Sequence, residues 1–223
     1  MKGKFLLKIY EELLRVYGHQ HWWPGDTPWE ICVGAVLTQN TSWTNVEKAI
    51  ARLKTANALK PDAVLRLSRA ELEDALMPSG FFRIKADRLL KVTRWWLGNV
   101  IDDKPLWQGR TPAEFRRDLL CVHGVGPETA DSIMLYCFQQ PFFVIDAYTR
   151  RIFSRHFQLE EKMDYHHLQS IFMDNLPADH QLFNEYHALI VKAAKEHCRK
   201  NQCLEGCPLC RMIEKQSQIR PTS

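Results

Sequence analysis

Four cysteines toward the C-terminal end of the chain have the spacing of a metal site. They lie within 13 residues of one another: Cys198, Cys203, Cys207 and Cys210. Disulfides are rare inside cells, so thiols this close together in an intracellular chain indicate metal binding. Four thiolates suit a 4Fe–4S cluster or a tetrahedral zinc ion. The other cysteines, Cys32, Cys121 and Cys137, occur in apolar helical stretches and are predicted to be core residues.

A single carboxylate, Asp146, follows an apolar run at the predicted start of a helix. The segment reads VIDAYTRR over residues 144–151. Aspartate is a favoured N-cap, because its side chain accepts hydrogen bonds from the first N–H groups of a helix. The residues alone allow two interpretations of Asp146. It is either a helix cap or a carboxylate placed to do chemistry.

A glycine turn precedes that carboxylate. Residues 122–126 read VHGVG, and Pro127 follows at the predicted start of a helix. Gly124 and Gly126 allow positive φ and close backbone approach, and proline suits the first helical position. The N–H groups at such a helix start can hold an anion, above all phosphate. An ordinary corner between two helices would use the same residues, so both interpretations stay open.

The rest of the sequence predicts the helices that position these residues. N-caps are predicted at Thr27, Ser68 and Thr111, two of them followed directly by proline. Residues 31–40 are apolar nearly all round and are predicted to form a buried, central helix. Residues 99–110 read as a polar loop. No strand pattern or repeat is evident, so the prediction is an all-α chain of about ten or eleven helices, including 4–17, 42–57, 82–97, 147–157, 165–175 and 179–197.

Composition excludes several classes of protein. The chain has 223 residues and 45% hydrophobic content, and no apolar run reaches the roughly 18–20 residues of a membrane span. The first 18 residues form an amphipathic pattern interrupted by Glu11, Glu12 and Arg15, which argues against a signal peptide. The expected location is the cytoplasm, in association with the nucleoid if the source is prokaryotic. No membrane partner is expected.

Positive charge is concentrated at one end of the chain. Residues 192–220 hold seven lysines and arginines against three glutamates, an excess equal to the +4 of the whole chain. A basic end of this kind could face phosphate. A solvated helix end would show the same charge pattern.

Two motifs in sequence resemble the helix-hairpin-helix DNA glycosylases of the endonuclease III superfamily. LxxVxGVGxxTAxxIxxY begins at Leu119, and VIDxYxxRI begins at Val144. The resemblance implies an all-α fold of two lobes with a cleft between them. One lobe would be a six-helix barrel over residues 24–135, ending in the helix-hairpin-helix of 111–138. The other would combine residues 1–23 and 136–223, and would carry Asp146 and the cysteine loop of 198–210.

The resemblance also assigns roles to these residues. Asp146 would be catalytic, because a carboxylate can stabilise the oxocarbenium-like sugar that forms when a base–sugar bond breaks. Family position implies a monovalent cation on the carbonyls of Leu120, Val122 and Val125. The hairpin would grip the backbone of double-stranded DNA through five residues: His123, Gly124, Val125, Gly126 and Thr129.

A second set of motifs is similar to the 3-methyladenine DNA glycosylase III branch. These are HWWP from residue 21, LTQNTSW from residue 37 and PSGFF from residue 78. The implied base pocket consists of Trp22, Trp23, Pro24, Trp43 and Lys195. Indole rings favour an alkylated purine, because such a base is cationic. The tryptophans could instead be core residues, and Lys195 a solvated side chain.

Two further positions bear on the mechanism. By resemblance, Gln39 would plug the gap left when the target base is flipped out of the duplex, although it could merely cap a helix end. Glu128 occupies the position where bifunctional members carry a lysine that forms a Schiff base and cuts the strand. Its presence predicts a glycosylase without lyase activity.

The cysteine spacing departs from the pattern that the resemblance implies. Members of the superfamily bind a 4Fe–4S cluster through cysteines spaced C-x6-C-x2-C-x5-C. This chain instead has the spacing C-x4-C-x3-C-x2-C, and Gln216 occupies the position expected for the last ligand. Four cysteines are nevertheless present, so a 4Fe–4S cluster is favoured over zinc. Nearby Arg199, Lys200 and Arg211 suggest that the metal loop helps to hold DNA phosphate.

The sequence therefore predicts a monomeric, monofunctional DNA glycosylase that removes alkylated purines, 3-methyladenine foremost, from duplex DNA in base excision repair. Two alternatives stay open. One is an endonuclease III-like glycosylase and lyase acting on oxidised pyrimidines, which Glu128 disfavours. The other is a non-catalytic helix-hairpin-helix module that binds DNA, which Asp146 disfavours.

Overall fold

A computed structural model describes residues 2–22 and 25–219 of the chain, and within these ranges twelve α-helices form. A short 3₁₀ helix spans Met77–Ser79, and a π-helical turn at Ile133–Cys137 continues α8. The α-helices are α1 (Gly3–Tyr17), α2 (Pro28–Leu37), α3 (Trp43–Thr55), α4 (Pro61–Arg66), α5 (Arg69–Leu76), α6 (Phe82–Asn99), α7 (Pro112–Leu120), α8 (Pro127–Ser132), α9 (Ala147–Phe157), α10 (Tyr165–Met173), α11 (His180–Glu196) and α12 (Pro208–Ile219).

The all-α prediction is confirmed, with one small exception in the predicted loop of 99–110. Two antiparallel strands, β1 (Val100–Ile101) and β2 (Lys104–Pro105), pair there. The turn between them consists of Asp102 and Asp103, whose φ angles are 48° and 58°. Positive φ at both central residues is the geometry that joins hairpin strands tightly, and aspartate tolerates it better than most residues.

The predicted helix starts are confirmed. Thr27 accepts a hydrogen bond from the Glu30 amide at 3.1 Å. Ser68 and Thr111 each form a reciprocal capping box with the glutamate three residues later. A cap of this kind stabilises a helix by about 1 kcal/mol.

The chain divides into two compact units. A continuous unit comprises Pro24–Gln140, and a split unit comprises Met1–Trp23 together with Pro141–Ser223. The sequence prediction had placed the change of lobe at residue 135. A barrel in the continuous unit and a cleft between the units stay predictions.

The core of the continuous unit is built around α2. As predicted, this helix is buried nearly all round; from Trp29 to Leu37 every residue except Ile31 is buried. The ring of Trp29 lies 5.2 Å from that of Trp96 in α6, and Trp96 in turn stacks on Phe138 at 5.4 Å. This packing fixes α2 against the end of the segment that follows the hairpin.

The core of the split unit joins the first helix to the last third of the chain. Buried Leu6, Ile9 and Leu13 form the inner face of α1. The Tyr186 hydroxyl of α11 donates a hydrogen bond to the Leu6 carbonyl at 2.9 Å. Phe143, just ahead of Asp146, stacks on Phe172 of α10 with ring centroids 3.9 Å apart. The loop that delivers Asp146 is therefore anchored in a core shared by distant segments.

Of the three cysteines that were predicted to lie in the core, two are buried and one is exposed. Cys32 and Cys137 are buried, as predicted, but Cys121 is exposed. The prediction for Cys121 is wrong because α7 ends at Leu120, so Cys121 is the C-cap and its side chain leaves the apolar face. Separately, none of the helices in the described ranges combines the length and the hydropathy that crossing a membrane requires.

Candidate active site and metal centre

Asp146 is the N-cap of α9, and its two carboxylate oxygens have different partners. Oδ1 accepts a hydrogen bond from the Thr149 amide at 2.7 Å. Oδ2 lies 3.5 Å from Nε2 of His187 in α11. The side chains of Asp146 and His187 are 13% and 5% exposed. Helix capping thus explains the contact of Oδ1. It does not explain why Oδ2 lies beside a buried imidazole, because an N-cap needs no such partner.

The charge state of Asp146 follows from opposing effects. Burial raises the pKa of this carboxyl, but the nearby His187 and the Thr149 hydrogen bond lower it by more, so the net pKa lies below its ordinary value. The carboxylate is therefore ionised at neutral pH. A fixed, partly desolvated anion can stabilise positive charge that develops beside it.

The loop ahead of Asp146 is held by α10. The Gln169 side chain donates a hydrogen bond to the Phe143 carbonyl at 2.8 Å, and the Ile145 amide donates to the Tyr165 hydroxyl at 3.3 Å. Phe143 and Ile145 are both buried. These contacts satisfy backbone groups that would otherwise be costly to bury. They also fix the direction in which Asp146 leaves the core.

Aromatic and basic side chains lie on the surface of the same unit. The Lys195 ammonium is 5.9 Å from the ring centroid of Trp22 and 6.0 Å from that of Tyr148. The Arg151 guanidinium lies 5.0 Å from the Tyr148 ring. The structure thus brings together two of the predicted pocket residues, Trp22 and Lys195, and adds Tyr148. The predicted pocket residues Trp23 and Pro24 lie outside the described residues.

Trp43, the other predicted pocket residue, belongs to the continuous unit. Its indole N–H donates to the Glu47 carboxylate at 2.8 Å, which holds the ring at the start of α3. The ring borders a cavity of about 270 Å³. The lining comprises Gly25, Asp26, Glu30, Trp43, Glu47, Ile50, Ala51 and Lys54. Lys54 pairs with Asp26 at 2.7 Å and with Glu30 at 2.8 Å, so the carboxylates of this cavity already have partners. The indole remains a surface on which a planar ligand can stack.

Gln39 lies against the hairpin rather than at a simple helix end. Its side-chain amide donates to the Gly124 carbonyl at 3.2 Å and to the Thr129 hydroxyl at 2.9 Å. Arg88 of α6 donates to the Gln39 carbonyl oxygen. We call Gln39, Arg88, Gly124 and Thr129 the hairpin network. It connects three separate segments of the continuous unit.

Gly124 adopts the positive φ that was predicted to be possible in the hairpin. Gly124 has a φ of +93°, and a Cβ there would lie 2.4 Å from the Arg88 side chain. The turn is closed by a hydrogen bond from the Val125 amide to the Val122 carbonyl at 2.9 Å. His123 and Gly126 are exposed, Val125 is buried, and Glu128 is exposed on the first turn of α8. A cation on the Leu120, Val122 and Val125 carbonyls stays a prediction.

The cysteine loop forms a compact group of metal-binding atoms that includes a histidine. Among the residues that the structure describes, four donor atoms lie within 4.8 Å of one another; they belong to His156, Cys203, Cys207 and Cys210. Cys203 Sγ is 3.6 Å from Cys210 Sγ. The His156 ring nitrogens lie 3.8 Å, 4.0 Å and 3.8 Å from the sulfurs of Cys203, Cys207 and Cys210.

The chemistry of this donor set fits a metal bound through sulfur. Thiols together with an imidazole suit zinc or an iron–sulfur cluster. With metal–sulfur bonds of about 2.3 Å, two ligands of one tetrahedral ion lie roughly 3.8 Å apart. The observed separations of 3.6–4.0 Å are close to that value. They are also ordinary contact distances between these atoms, so they do not select a single ion over a cluster.

Arginines surround the metal centre. The Arg155 guanidinium donates to Cys198 Sγ at 3.0 Å and to the Arg199 and Lys200 carbonyls at 2.7 Å and 2.8 Å. Arg151 donates to the Cys198 carbonyl at 2.7 Å. Burial raises the pKa of the Cys207 thiol, but hydrogen bonding to His156 and neighbouring groups brings it down to about 6. Burial raises the pKa of the Cys203 and Cys210 thiols, so without a metal the thiolate form is favoured at Cys207 but not at those two residues.

Sequence reasoning missed several of these residues. His187, His156 and Arg88 carry no local signal, because their partners are distant in the sequence. Tyr148 could have been found, since it is an aromatic residue on the first turn after Asp146. Three basic residues within or next to the cysteine loop are exposed, as their positions in the sequence suggested: Arg199, Lys200 and Arg211.

Comparison with known proteins gives a family match across both units. The pattern of the HhH-GPD superfamily of base excision DNA repair proteins matches residues 33–178. A candidate DNA repair glycosylase of Methanocaldococcus jannaschii is 44% identical over 209 residues, which is 93% of this chain and 95% of that protein.

Solved structures show the same architecture. The 3-methyladenine DNA glycosylase of H. pylori, bound to 1,N6-ethenoadenine, matches with a TM-score of 0.72 and 25% identity, covering 88% of this chain and 98% of that one. A non-covalent endonuclease III–DNA complex matches with a TM-score of 0.78 and 19% identity, covering 98% and 99%. At that identity the second match shows the fold alone.

Proposed function

We propose that this chain, which belongs to the HhH-GPD superfamily of base excision DNA repair proteins, is a monofunctional DNA glycosylase of alkylated purines. It would hydrolyse the bond between base and sugar in duplex DNA, with 3-methyladenine as the foremost substrate. The observation that carries this proposal is Asp146, an ionised carboxylate fixed by Thr149 and His187.

The proposed chemistry needs one well-placed carboxylate. Loss of the base leaves an oxocarbenium-like sugar, and the Asp146 anion would stabilise that positive charge. The same carboxylate could orient or deprotonate the attacking water. Its lowered pKa keeps it anionic, and His187 holds the oxygen that does not cap α9. An alkylated purine is already a good leaving group because of its own positive charge.

Three observations bear on the substrate class. The indole of Trp43 borders a cavity and could stack on a cationic base. The rings of Trp22 and Tyr148 could also stack on a base, but Lys195 beside them carries positive charge and does not favour a cationic one. The H. pylori structure that this fold matches is a 3-methyladenine DNA glycosylase with a modified adenine bound.

The DNA contacts in this proposal belong to the hairpin and to Gln39. The protein would act as a monomer on damaged double-stranded DNA. A solved structure of the same fold is a complex of endonuclease III with DNA. The exposed hairpin residues, with Thr129 below them, would hold the backbone. Gln39 would leave its contacts in the hairpin network and fill the space of the flipped base.

Lyase activity is not expected of this enzyme. Strand cutting by β-elimination requires an amine that forms a Schiff base with the sugar. The first turn of α8 presents Glu128, a carboxylate that cannot form one. The hairpin lies within residues 33–178, the range that matches the superfamily.

A panel of duplexes tests the proposal, each containing one modified base. Release of 3-methyladenine or 7-methylguanine by the wild-type protein, with at least a 10³-fold lower rate for Asp146→Asn, is the expected result. Retained DNA affinity of the Asp146→Asn variant would show that the loss is chemical. Equal base release by both proteins would refute a catalytic role and leave a DNA-binding module.

The same panel tests the alternative activity. Preferential release of oxidised pyrimidines would replace alkylated purines as the substrate. Borohydride treatment during turnover should give no covalent enzyme–DNA adduct with the wild-type protein. An adduct that forms at the rate of base release would refute the absence of a lyase step.

The metal centre forms a separate part of the proposal. We infer that it holds a 4Fe–4S cluster, because its thiol-rich group of donors suits one and because the chain matches this superfamily. Zinc is the second candidate, because the same donors suit it too. The cluster would be structural, holding the basic cysteine loop in shape. Iron and acid-labile sulfide in the purified protein would support the cluster, and one equivalent of zinc without iron would exclude it.

A further inference from the structure

We propose that His156 is a ligand of the metal centre. It would complete, with Cys203, Cys207 and Cys210, a set of three thiolates and one imidazole. Cys198 would then support the centre from outside the ligand set. This inference concerns how the metal is held, so it does not depend on the substrate of the enzyme.

The distances support His156 as a ligand. Nε2 of the imidazole lies 3.8 Å and 4.0 Å from the sulfurs of Cys203 and Cys207, and Nδ1 lies 3.8 Å from that of Cys210. One ligand atom from each of the four residues lies within 4.8 Å of the others, so the four can face one metal site. Imidazole nitrogen and thiolate sulfur are both common ligands of zinc, and imidazole replaces thiolate in some iron–sulfur centres.

Cys198 differs from the other three cysteines in its surroundings. Its sulfur accepts a hydrogen bond from the Arg155 guanidinium at 3.0 Å, and its carbonyl accepts one from Arg151. The residue is fully buried near the start of the segment between α11 and α12. Cys198 also hydrogen-bonds to His156. It therefore touches the imidazole, yet it lies outside the compact group of donors.

The proposed ligands lie on different elements of the secondary structure. His156 is in the last turn of α9, whereas Cys207 and Cys210 lie at the start of α12, and Cys203 lies in the loop between. A metal held by this set would pin the cysteine loop to α9. That helix begins at Asp146, about 15 Å away at 1.5 Å per residue. Metal binding would thus brace the helix that carries the carboxylate.

Metal content of purified variants tests the assignment. His156→Ala, His156→Cys and Cys198→Ala would be purified anaerobically and compared with the wild-type protein for iron, zinc and acid-labile sulfide. His167→Ala is the matched control, because His167 is exposed on α10 in the same unit. Circular dichroism would confirm that each variant is folded.

The expected result is a metal content at least 5-fold lower in His156→Ala. His156→Cys, Cys198→Ala and His167→Ala should keep at least half of the wild-type content, because a thiolate can replace imidazole and Cys198 is not a ligand. Full metal content in His156→Ala, together with its loss in Cys198→Ala, would overturn the proposal in favour of four cysteine ligands.

X-ray absorption of the wild-type protein decides the case in which both alanine variants lose metal or neither does. One nitrogen at about 2.0–2.1 Å beside sulfurs at about 2.3 Å would support His156 as a ligand. For a cluster, the nitrogen signal would appear as one ligand among four irons and would vanish in His156→Cys. A shell of sulfur alone in the wild-type protein would overturn the proposal.

Discussion

The carboxylate site and the hairpin network hold their central side chains in different ways. We call Asp146, Thr149 and His187 the carboxylate site. Asp146 is fixed half by its own helix, through the Thr149 amide, and half by a buried imidazole. In the hairpin network, Gln39 is tied entirely to other segments, through Arg88, Gly124 and Thr129.

The difference matches what each site is proposed to do. A catalytic carboxylate must be preorganised, so a buried and locally determined position suits it. A residue that fills the space of a flipped base must leave its resting contacts when DNA binds. The hydrogen bonds of Gln39 are part-buried, so water or DNA groups can take the place of its side-chain amide.

Among variants that keep Asp146, the largest expected effect comes from His187 in the carboxylate site. Replacing it by leucine should slow base release about 10- to 100-fold, equivalent to about 1.4–2.7 kcal/mol. Because His187 lowers the pKa of Asp146 against the effect of burial, its loss should raise that pKa. The acid limb of the single-turnover rate profile should therefore move to higher pH.

A conservative variant separates positioning from packing at this position. His187→Asn keeps an N–H donor and should show a smaller shift of the acid limb than the leucine variant. If His187→Leu slows the reaction while its acid limb stays where the wild-type limb is, His187 contributes packing alone. In that case no electrostatic interaction with His187 would be needed to explain how Asp146 is held.

The next effect is on stability, at the hairpin glycines. Gly124→Ala should lower the free energy of unfolding by about 1–2 kcal/mol, because φ is +93° and the new Cβ would meet Arg88. Gly126 is the matched control, since its φ is −90° and nothing lies within 4 Å of an added Cβ. Gly126→Ala should be neutral or slightly stabilising. Denaturant unfolding measures both, and equal effects would contradict the assigned turn geometry.

A smaller effect should appear as coupling between Gln39 and Arg88. A double-mutant cycle with alanine at both positions should give a coupling energy of about 1 kcal/mol in the free energy of unfolding. Arg94 is the control, because it is exposed on the same helix as Arg88. The pair of Gln39 and Arg94 should show coupling near zero. Comparable values for both pairs would mean that the hairpin network is not a specific contact.

The smallest effect concerns the stability of Asp146→Asn as a function of pH. The folded-state pKa of Asp146 is lowered, so its contribution is fully present above the unfolded pKa of about 3.9 and is lost as pH falls through the folded value. The wild-type advantage should be constant above about pH 5 and shrink below pH 4. It should stay under about 1 kcal/mol, because asparagine caps a helix nearly as well. An advantage that grows on acidification would reverse the sign of the pKa shift.

The same contrast explains which parts of the molecule could be predicted from the sequence. The caps at Thr27, Ser68, Thr111 and Asp146 are local, since each side chain bonds an amide two or three residues later. The positive φ that Gly124 adopts was likewise readable from the residue type. Such features depend on the chain within one turn.

Contacts between distant residues could not be read in this way. Arg88 and Gln39 are 49 residues apart, and nothing in either segment specifies the other. His187 and His156 were missed for the same reason, because a histidine on an amphipathic helix has no spacing signal of its own. Cysteines were found because four of them are close in the sequence, but His156 reaches them through the fold.

The discontinuity of the split unit has a consequence for synthesis on the ribosome. Tyr186 and Leu6 are 180 residues apart, yet they share a hydrogen bond in the core. At about 5–20 residues per second, α1 emerges roughly 10–40 s before α11 does. The continuous unit can fold during that interval, whereas the apolar face of α1 has to wait. The carboxylate site is therefore incomplete until His187 of α11 has been synthesised, well after Asp146 itself.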